Sequence, residues 1–164
     1  MDKVVMLDSS FMRRFMDETS ELNDNATQYY RYFLENDFEL CISTIALAEN
    51  LTYSSIEEFP FKDVKIVPFN IDHAKKTGEF AQYLFQEKHS NNLKITSRDI
   101  IPNDTKLFSQ AEVIQDLQFF ISSDKESEKI YNKLAAKFGL KYKFIDLSIS
   151  CSDYFGTLNF KDQK

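Results

Sequence analysis

A chain of 164 residues is about the size of one domain and is long enough to bury a hydrophobic core without disulfide or metal staples. Apolar residues make up 43% and charged residues 28%, with three glycines and three prolines, which excludes collagen-like, low-complexity and disordered classes. The net charge of −6 at pH 7 argues against nucleic-acid binding through a broad basic face, because such binding depends on phosphate neutralisation by Lys and Arg. Any contact with nucleic acid must therefore be local.

The two cysteines and the first residues of the sequence are the features from which we predict the cellular compartment. Cys41 and Cys151 lie far apart in the sequence, and no C-x-x-C motif or Cys/His cluster accompanies them that could hold zinc. The apolar run before Asp8 is too short for a signal peptide or a membrane span. We therefore predict a reduced, cytoplasmic protein without membrane association.

Short apolar segments alternate along the chain with segments of helical character. Residues 4–7 are β-branched at their start and are followed by Asp8, Ser9 and Ser10, residue types that cap helices, which predicts a strand, a turn and a helix. Further strands are predicted at residues 40–42, 64–69, 119–121 and 142–147. Further helices are predicted at residues 27–34, 45–51, from a cap at Asp72, from a cap at Asn103, and at 127–138 before Gly139.

Two of these helices lie in the middle of the chain. The helix capped by Asp72 is expected to bury one face, which consists of Ala74, Phe80, Ala81, Leu84 and Phe85. The polar stretch 88–99 predicts a loop, and His73 and His89 are expected at the surface because neither has a partner at i+4. The helix capped by Asn103 is expected to bury Leu107, Phe108, Ala111 and Ile114.

Strands that alternate with helices and lack a clean period of two indicate a mainly parallel sheet covered on both faces. We therefore predict an α/β fold, a three-layer α/β/α sandwich whose sheet has about five strands. The domain is expected to span residues 1–147, and no role is assigned to a C-terminal tail at residues 148–164. The aromatic side chains near residue 30 are expected to pack in the interior rather than bind a partner or stack on bases; they are Tyr29, Tyr30, Tyr32 and Phe33.

Acidic residues fall at positions where a parallel sheet binds ligands. Asp8 and Asp124 follow the first and fourth predicted strands, and ligands bind beyond the carboxyl ends of such strands. Glu49 lies on an apolar helix face, four residues after Ile45, and Asp104 leans toward a similar face. Taken singly, each aspartate is better explained by helix capping, and Glu49 by a buried ion pair or by a helix face that is not in fact the buried one.

The four carboxylates together predict a metal site. Converging carboxylates repel one another unless a cation neutralises them. Oxygen ligands without His or Cys favour Mg²⁺ or Mn²⁺, ions that complete their coordination with water and substrate phosphate. Such ions can activate water for in-line displacement at a phosphodiester, so no nucleophilic Ser, Cys or His is required. We predict that Asp8, Glu49, Asp104 and Asp124 are both the metal ligands and the catalytic residues.

Four segments of the sequence resemble the motifs of PIN domains. They are VVMLDSS (residues 4–10), ISTIALAE (42–49), PNDTKL (102–107) and ISSD (121–124). The resemblance covers residues 3–147 and implies a parallel α/β/α sandwich with metal-dependent ribonuclease activity on single-stranded RNA. In many bacterial members, such as the VapC-type proteins, it implies a toxin held silent by a cognate antitoxin. The same four carboxylates would form the acidic site, with Ser122 or Ser123 as the polar position before the last aspartate.

The expected partners follow from the predicted activity. They are an RNA substrate, a cognate antitoxin and a second copy of the chain in a homodimer. Because the chain is acidic, contacts with RNA would come from a few basic residues near the motifs, each of which is also explained as solvated surface charge. These candidates are Arg13, Arg14, Lys106 and Lys125.

Other functions stay open at this point. A phosphoacceptor receiver domain also gathers carboxylates around Mg²⁺, but it requires an aspartate after its third strand and a lysine after its fifth. Asn70 and Ser148 follow those strands instead. A PIN fold that binds without cleaving is a second alternative, since a fold does not fix a function. The sequence does not separate a toxin from an RNA-processing enzyme.

Overall fold

Five strands form one parallel sheet. The computed structural model describes residues 3–94 and 100–156. The strands are β1 (Lys3–Leu7), β2 (Phe38–Ser43), β3 (Val64–Val67), β4 (Leu117–Ser122) and β5 (Lys143–Asp146). Their order across the sheet is β3-β2-β1-β4-β5, and every neighbouring pair is parallel. The central strand β1 is buried from Val4 to Leu7, as expected for a strand covered on both faces.

Helices connect these strands and cover the sheet in two groups. They are α1 (Ser9–Met16), α2 (Asn23–Glu35), α3 (Thr44–Asn50), α4 (Ile71–His89), α5 (Ile100–Val113), α6 (Lys125–Phe138) and α7 (Cys151–Phe155). In the first group α1 contacts α2 and α3, and α7 packs on α2. In the second group α4, α5 and α6 contact one another. The predicted three-layer α/β/α sandwich with a parallel sheet of five strands is confirmed.

The chain reverses its direction of winding at β1. This strand pairs with β2 on one side and with β4 on the other, so that Leu7 lies opposite both Ile42 and Ile121. Asp8 therefore leaves the sheet between the ends of two neighbouring strands, and its backbone N–H donates to the Ile121 carbonyl at 3.1 Å. Such a switch point opens a crevice at the carboxyl ends of the strands, where α/β proteins bind ligands.

The start of α4 differs from the prediction. Asn70 caps this helix instead of Asp72, because its Oδ1 accepts from the backbone N–H groups of Asp72 at 3.0 Å and His73 at 3.2 Å. His73 Nδ1 in turn accepts from the Asn70 N–H at 2.9 Å, which completes a reciprocal cap. His73 is consequently buried, with 4% of its surface exposed, and burial lowers its pKa. The expectation of a surface position was wrong for His73 and right for His89.

The buried face of α4 is also shifted from the predicted one. Its buried residues are His73, Phe80 and Leu84, at i, i+7 and i+11, whereas Ala74 and Phe85 are exposed. The earlier cap at Asn70 sets this rotation, because the His73 side chain belongs to both the cap and the buried face. The helix continues to His89, so the loop predicted from residue 88 begins later; residues 95–99 lie outside the described residues.

Helix α5 begins at Ile100, so Asn103 lies inside the helix and is not its cap. Pro102 occupies the third helical position, where backbone N–H groups have no intrahelical acceptor and the missing proline N–H costs little. Asp104 is therefore in the second turn rather than the first. The expected inward residues Leu107, Phe108 and Ala111 are buried, and Ile114 follows the helix and is partly buried.

The aromatic residues of α2 pack in the interior, as predicted. Tyr29, Tyr30 and Phe33 are buried, and Tyr32 stacks on Phe155 of α7 with ring centroids 4.2 Å apart. Cys41 and Cys151 are both buried free thiols. Among the helices of residues 3–94 and 100–156, none combines the length and the apolar character needed to cross a bilayer.

Candidate metal and active site

All four carboxylates singled out in the sequence line one depression at the carboxyl end of the sheet. The depression has a volume of about 190 Å³. Its lining residues are Asp8, Ser9, Ser10, Arg13, Glu49, Asn103, Asp104 and Asp124. Asp8 follows β1, Glu49 lies on α3, Asp104 on α5, and Asp124 precedes α6. Four separate elements therefore bring these side chains together.

Two serine hydroxyls hold Asp8 in place. Asp8 is buried, with 7% of its surface exposed, and its Oδ2 accepts from Ser10 Oγ at 2.6 Å and from Ser122 Oγ at 2.8 Å. Asp8 occupies the cap position of α1 but makes no side-chain capping bond. Among the described residues none donates a hydrogen bond to Asp8 Oδ1. Two serine hydroxyls therefore fix one oxygen of the Asp8 carboxylate.

Both serines are positioned by the backbone that follows β4. Ser10 Oγ accepts from the Ser123 N–H at 3.0 Å, and Ser122 Oγ accepts from the Asp124 N–H at 3.1 Å. Ser122 thus contacts Asp8 directly, whereas Ser123 contributes its backbone N–H to this network. The role of Ser10 was missed in the sequence, where Ser9 and Ser10 gave only a capping signal. Its position two residues after Asp8 was the signal that could have indicated this contact.

Glu49 is half-buried and joins α3 to α1. Its Oε2 accepts from Ser9 Oγ at 2.9 Å. Burial raises the pKa of Glu49; the Ser9 hydrogen bond opposes this shift, the charge of Asp8 adds to it, and the positive charges of Arg13 and Lys106 oppose it. No cationic side chain in the described part of the chain forms an ion pair with Glu49. The buried ion pair that was a simpler explanation of Glu49 is therefore not formed with any residue that the structure describes.

Asp104 has the most strongly perturbed carboxyl group of the site. Burial, followed by the negative charges of Asp8 and Asp124, raises its pKa to about 8, although a hydrogen bond with Ser127 acts in the opposite direction. Its Oδ2 atom is buried and has no hydrogen-bond partner. A buried acceptor without a partner is unfavourable, and more so when it carries charge beside other carboxylates.

Asp124 caps α6, as the simpler interpretation of this residue proposed. Its Oδ1 accepts from the backbone N–H groups of Glu126 at 2.8 Å and Ser127 at 3.4 Å. Capping uses only one carboxylate oxygen, and the side chain also lines the depression. A capping role and a ligand role are therefore compatible for Asp124.

The donor set suits a hard divalent cation, although no cage is preformed. Within residues 3–94 and 100–156, no three acidic, histidine or cysteine side chains come close enough together to form a ready-made metal site. Mg²⁺ is usually held by only one or two carboxylates, with waters and substrate phosphates completing its shell. The available groups are carboxylate oxygens, and one of them, Asp104 Oδ2, has no partner. Mg²⁺ or Mn²⁺ fits these residues better than zinc.

The four basic candidates lie in different surroundings. Arg13 lines the depression. Lys106 acts on Glu49 through its charge, and Arg14 is exposed on α1. Lys125 forms an ion pair with Asp146 and contacts Ser148 Oγ at 3.2 Å. Arg13 is therefore the one of these four side chains that reaches the wall of the site.

Comparison with known proteins gives matches in structure alone. No protein-family model matches the sequence, and no curated protein is significantly similar to it. A chain of the DNA-bound VapBC structure from Salmonella typhimurium is 17% identical, with a TM-score of 0.57 over 88% of this chain and 98% of that chain. VapBC2 from Rickettsia felis, bound to a fragment of its promoter DNA, gives 16% identity and a TM-score of 0.57 over 87% and 99% of the two chains.

A third similar structure is VapC20 from Mycobacterium tuberculosis, described as a Sarcin–Ricin loop cleaving toxin. It is 12% identical, with a TM-score of 0.52 over 76% of this chain and 92% of that chain. These identities are too low to carry a function across. The likeness therefore establishes a VapC-like PIN fold for this chain.

Proposed function

We propose that this protein is a metal-dependent endoribonuclease that hydrolyses single-stranded RNA. Asp8, Glu49, Asp104 and Asp124 act as its metal ligands and catalytic residues. The observation that carries the proposal is the buried, unpartnered Oδ2 of Asp104 in a depression shared with three other carboxylates. So much clustered negative charge is unfavourable unless a cation binds there. The position of the depression at the switch point of a PIN-like sheet adds support.

The side chains of the site have separate tasks in this proposal. Bound Mg²⁺ or Mn²⁺ supplies Lewis-acid stabilisation of the phosphate and activation of water. Asp104 Oδ2 has no hydrogen-bond partner, and both serine bonds to Asp8 go to its Oδ2, so Asp104 Oδ2 and Asp8 Oδ1 are the oxygens proposed to hold the ion. Ser10 and Ser122 orient Asp8, and such supporting hydrogen bonds commonly determine how well a ligand binds its metal. Arg13 supplies a positive charge for the RNA phosphate.

We further propose that the protein is the toxin of a toxin–antitoxin pair. Two of the similar structures are VapBC complexes, and a third is a toxin described as cleaving the Sarcin–Ricin loop. An antitoxin protein and a second copy of this chain are the corresponding partners. Expression in cells is expected to arrest growth, and the Asp8→Asn form is expected not to. Equal growth with both forms favours an RNA-processing role.

The nuclease proposal is tested with purified protein and single-stranded RNA. Cleavage is expected with Mg²⁺ or Mn²⁺ and should stop on chelation. Asp8→Asn, Glu49→Gln and Asp124→Asn should each lose about 100-fold or more in rate, because a missing or misplaced ligand lowers activity steeply. Asp104→Asn is expected to lose a similar or smaller factor. Asp24→Asn is the matched control, since Asp24 is exposed in the first turn of α2 and does not line the depression.

One combination of results would contradict the nuclease proposal and favour a binding role instead. If the protein with Mg²⁺ or Mn²⁺ cleaves neither RNA nor single-stranded DNA, and the Asp8→Asn form behaves identically in cells, catalysis is excluded. The site would then belong to a non-catalytic PIN-fold module, or to another acidic Mg²⁺-binding module in RNA binding or signalling. Binding of RNA by both forms without cleavage would favour an RNA-binding role over a signalling role.

A further inference from the structure

A second cavity adjoins the carboxylate depression. Its volume is about 640 Å³, within the range of about 300–1,000 Å³ common for small-molecule sites. Its lining residues are Arg13, Met16, Asp17, Asn50, Tyr53, Ser54 and Glu58. Arg13 lines both cavities, and Asn50 directly follows Glu49 on α3. We call this second cavity the Tyr53 groove.

The Tyr53 groove presents an aromatic face to solvent. Tyr53 is 75% exposed, and the Arg13 guanidinium lies over its ring, 5.3 Å from the centroid. A single exposed aromatic side chain is common in proteins and needs no explanation by itself. This ring, however, lies in a cavity wall and is contacted by a cation that also lines the carboxylate depression. That contact places the positive charge of Arg13 beside the Tyr53 ring, between the two cavities.

The floor of the groove offers hydrogen-bonding groups with a defined orientation. Asn50 is almost fully buried, with 1% of its surface exposed, and its Oδ1 accepts from Ser54 Oγ at 2.8 Å. This bond occupies the carbonyl oxygen of the Asn50 amide. The amide nitrogen, Asn50 Nδ2, donates to no described residue. Asp17 and Glu58 add carboxylate acceptors to the wall. The groove therefore combines a stacking surface with both donors and acceptors.

We propose that the Tyr53 groove holds the nucleobase next to the scissile phosphate. Tyr53 stacks on the base, Asn50 donates to an acceptor on the base edge, and Arg13 neutralises the adjoining phosphate. Base stacking suits an acidic protein, because it contributes affinity that does not depend on positive charge. This inference rests on the proposed ribonuclease function and names how that site binds its substrate.

The geometry of α1 and α3 supports this assignment. The two helices pack together, and the Ser9–Glu49 hydrogen bond joins them at the depression. Arg13 on α1, and Asn50 at the end of α3, are thus held in place relative to the carboxylates. A protein partner is a less suitable occupant, because buried interface cores are depleted in charge. Three of the seven lining residues, Arg13, Asp17 and Glu58, are ionisable groups of both signs.

The test is cleavage of a short single-stranded RNA in which each position in turn lacks its base. With wild-type protein, loss of the base beside the cleaved bond should lower kcat/KM about tenfold or more, the range expected for one stacked base. Tyr53→Ala should lower kcat/KM by a similar factor on intact RNA and show no further loss on the abasic RNA. Tyr53→Phe should retain most activity because it keeps the ring.

The controls separate this inference from the proposed function. Phe85→Ala removes another exposed aromatic, on α4 and outside both cavities, and should leave kcat/KM unchanged. If wild type cleaves and Tyr53→Ala cleaves equally well, or still shows the abasic penalty, the groove assignment is wrong and the nuclease stands. If Tyr53→Ala cleaves RNA as well as wild type but no longer binds an antitoxin, the groove is a protein contact and the nucleobase assignment is wrong. If wild type cleaves no RNA, both proposals fall.

Discussion

Asp104 carries its carboxyl group in surroundings that disfavour the charged form. It lies among three other carboxylates, and one of its oxygens is buried without a partner. Burial and the charges of Asp8 and Asp124 raise its pKa to about 8, far above the value near 4 of an aspartate in an unfolded chain. The folded, metal-free protein therefore holds a proton on Asp104 at pH values where the unfolded chain has lost it.

Stability of the metal-free protein is expected to depend on pH through this residue. Between pH 4 and 8 the folded state binds more protons than the unfolded state, so the contribution of Asp104 to the free energy of unfolding falls as pH rises. The slope is at most about 1.4 kcal/mol per pH unit. Denaturant unfolding with a chelator, at pH 5 and pH 7.5, should show a smaller loss of stability in Asp104→Asn than in wild type. Equal losses would contradict the assigned surroundings of Asp104.

At the same scale, the carboxylates that line the depression were predictable from the sequence, but the groups that orient them were not. Carboxylates at strand ends are visible as residue types, and Asp8 and Asp124 were placed correctly by the strands that precede them. The hydrogen bond from Ser122 to Asp8 joins residues 114 positions apart, and no local pattern encodes it. His73 was misplaced for a related reason, because its cap bond to Asn70 is not a residue-type preference of histidine.

Helix α7 extends the packed structure beyond β5 and covers α2. Phe155 stacks on Tyr32, and its ring also meets Tyr29 edge-on with centroids 6.2 Å apart. Hydrogen bonds fasten the preceding segment to α2, since Asn25 Nδ2 donates to the Leu147 carbonyl at 2.9 Å and the Tyr29 hydroxyl donates to the Ile149 carbonyl at 3.1 Å. These contacts hold α7 against α2, on the first of the two helix groups.

Removing the Phe155 ring should measure what α7 contributes. Phe155→Ala is expected to lower the free energy of unfolding by about 2 kcal/mol, less than the roughly 3–5 kcal/mol typical of a fully buried ring, because Phe155 is only partly buried. Phe85→Ala is the matched control and should change stability by no more than about 0.5 kcal/mol, since Phe85 is exposed. A similar small change in Phe155→Ala, measured by urea denaturation, would show that α7 is not held as described.

At the scale of elements, the strands were predictable and helix starts were less so. The strands are short apolar runs between polar segments, and all five were located, with bounds shifted by a few residues. Around α4 and α5 several residues of capping type compete, namely Asn70 with Asp72, and Asn103 after Pro102. Tertiary packing decides among them, because each helix must begin where its buried face meets the elements that it packs against.

At the scale of the whole molecule, the carboxylate depression is a local concentration of negative charge in an acidic chain. The net charge is −6, and four of its carboxylates share a depression of about 190 Å³ at the switch point of the sheet. The winding order β3-β2-β1-β4-β5 produces this arrangement, because it makes β1 and β4 neighbours although they are far apart in sequence. The same arrangement makes folding stability sensitive to any cation that binds the depression.

Divalent metal is therefore expected to stabilise the folded protein. An ion present at 100 times its Kd adds about 2.7 kcal/mol. For a chain of this length, each kcal/mol raises Tm by about 2–4 °C, so Mn²⁺ should raise it by about 5–10 °C. Asp8→Asn should gain much less, because it removes the negative charge of a proposed ligand that lines the depression. Asp24→Asn, which changes an exposed carboxylate elsewhere, should gain as much as wild type. Equal gains in wild type and Asp8→Asn would place the ion outside this depression.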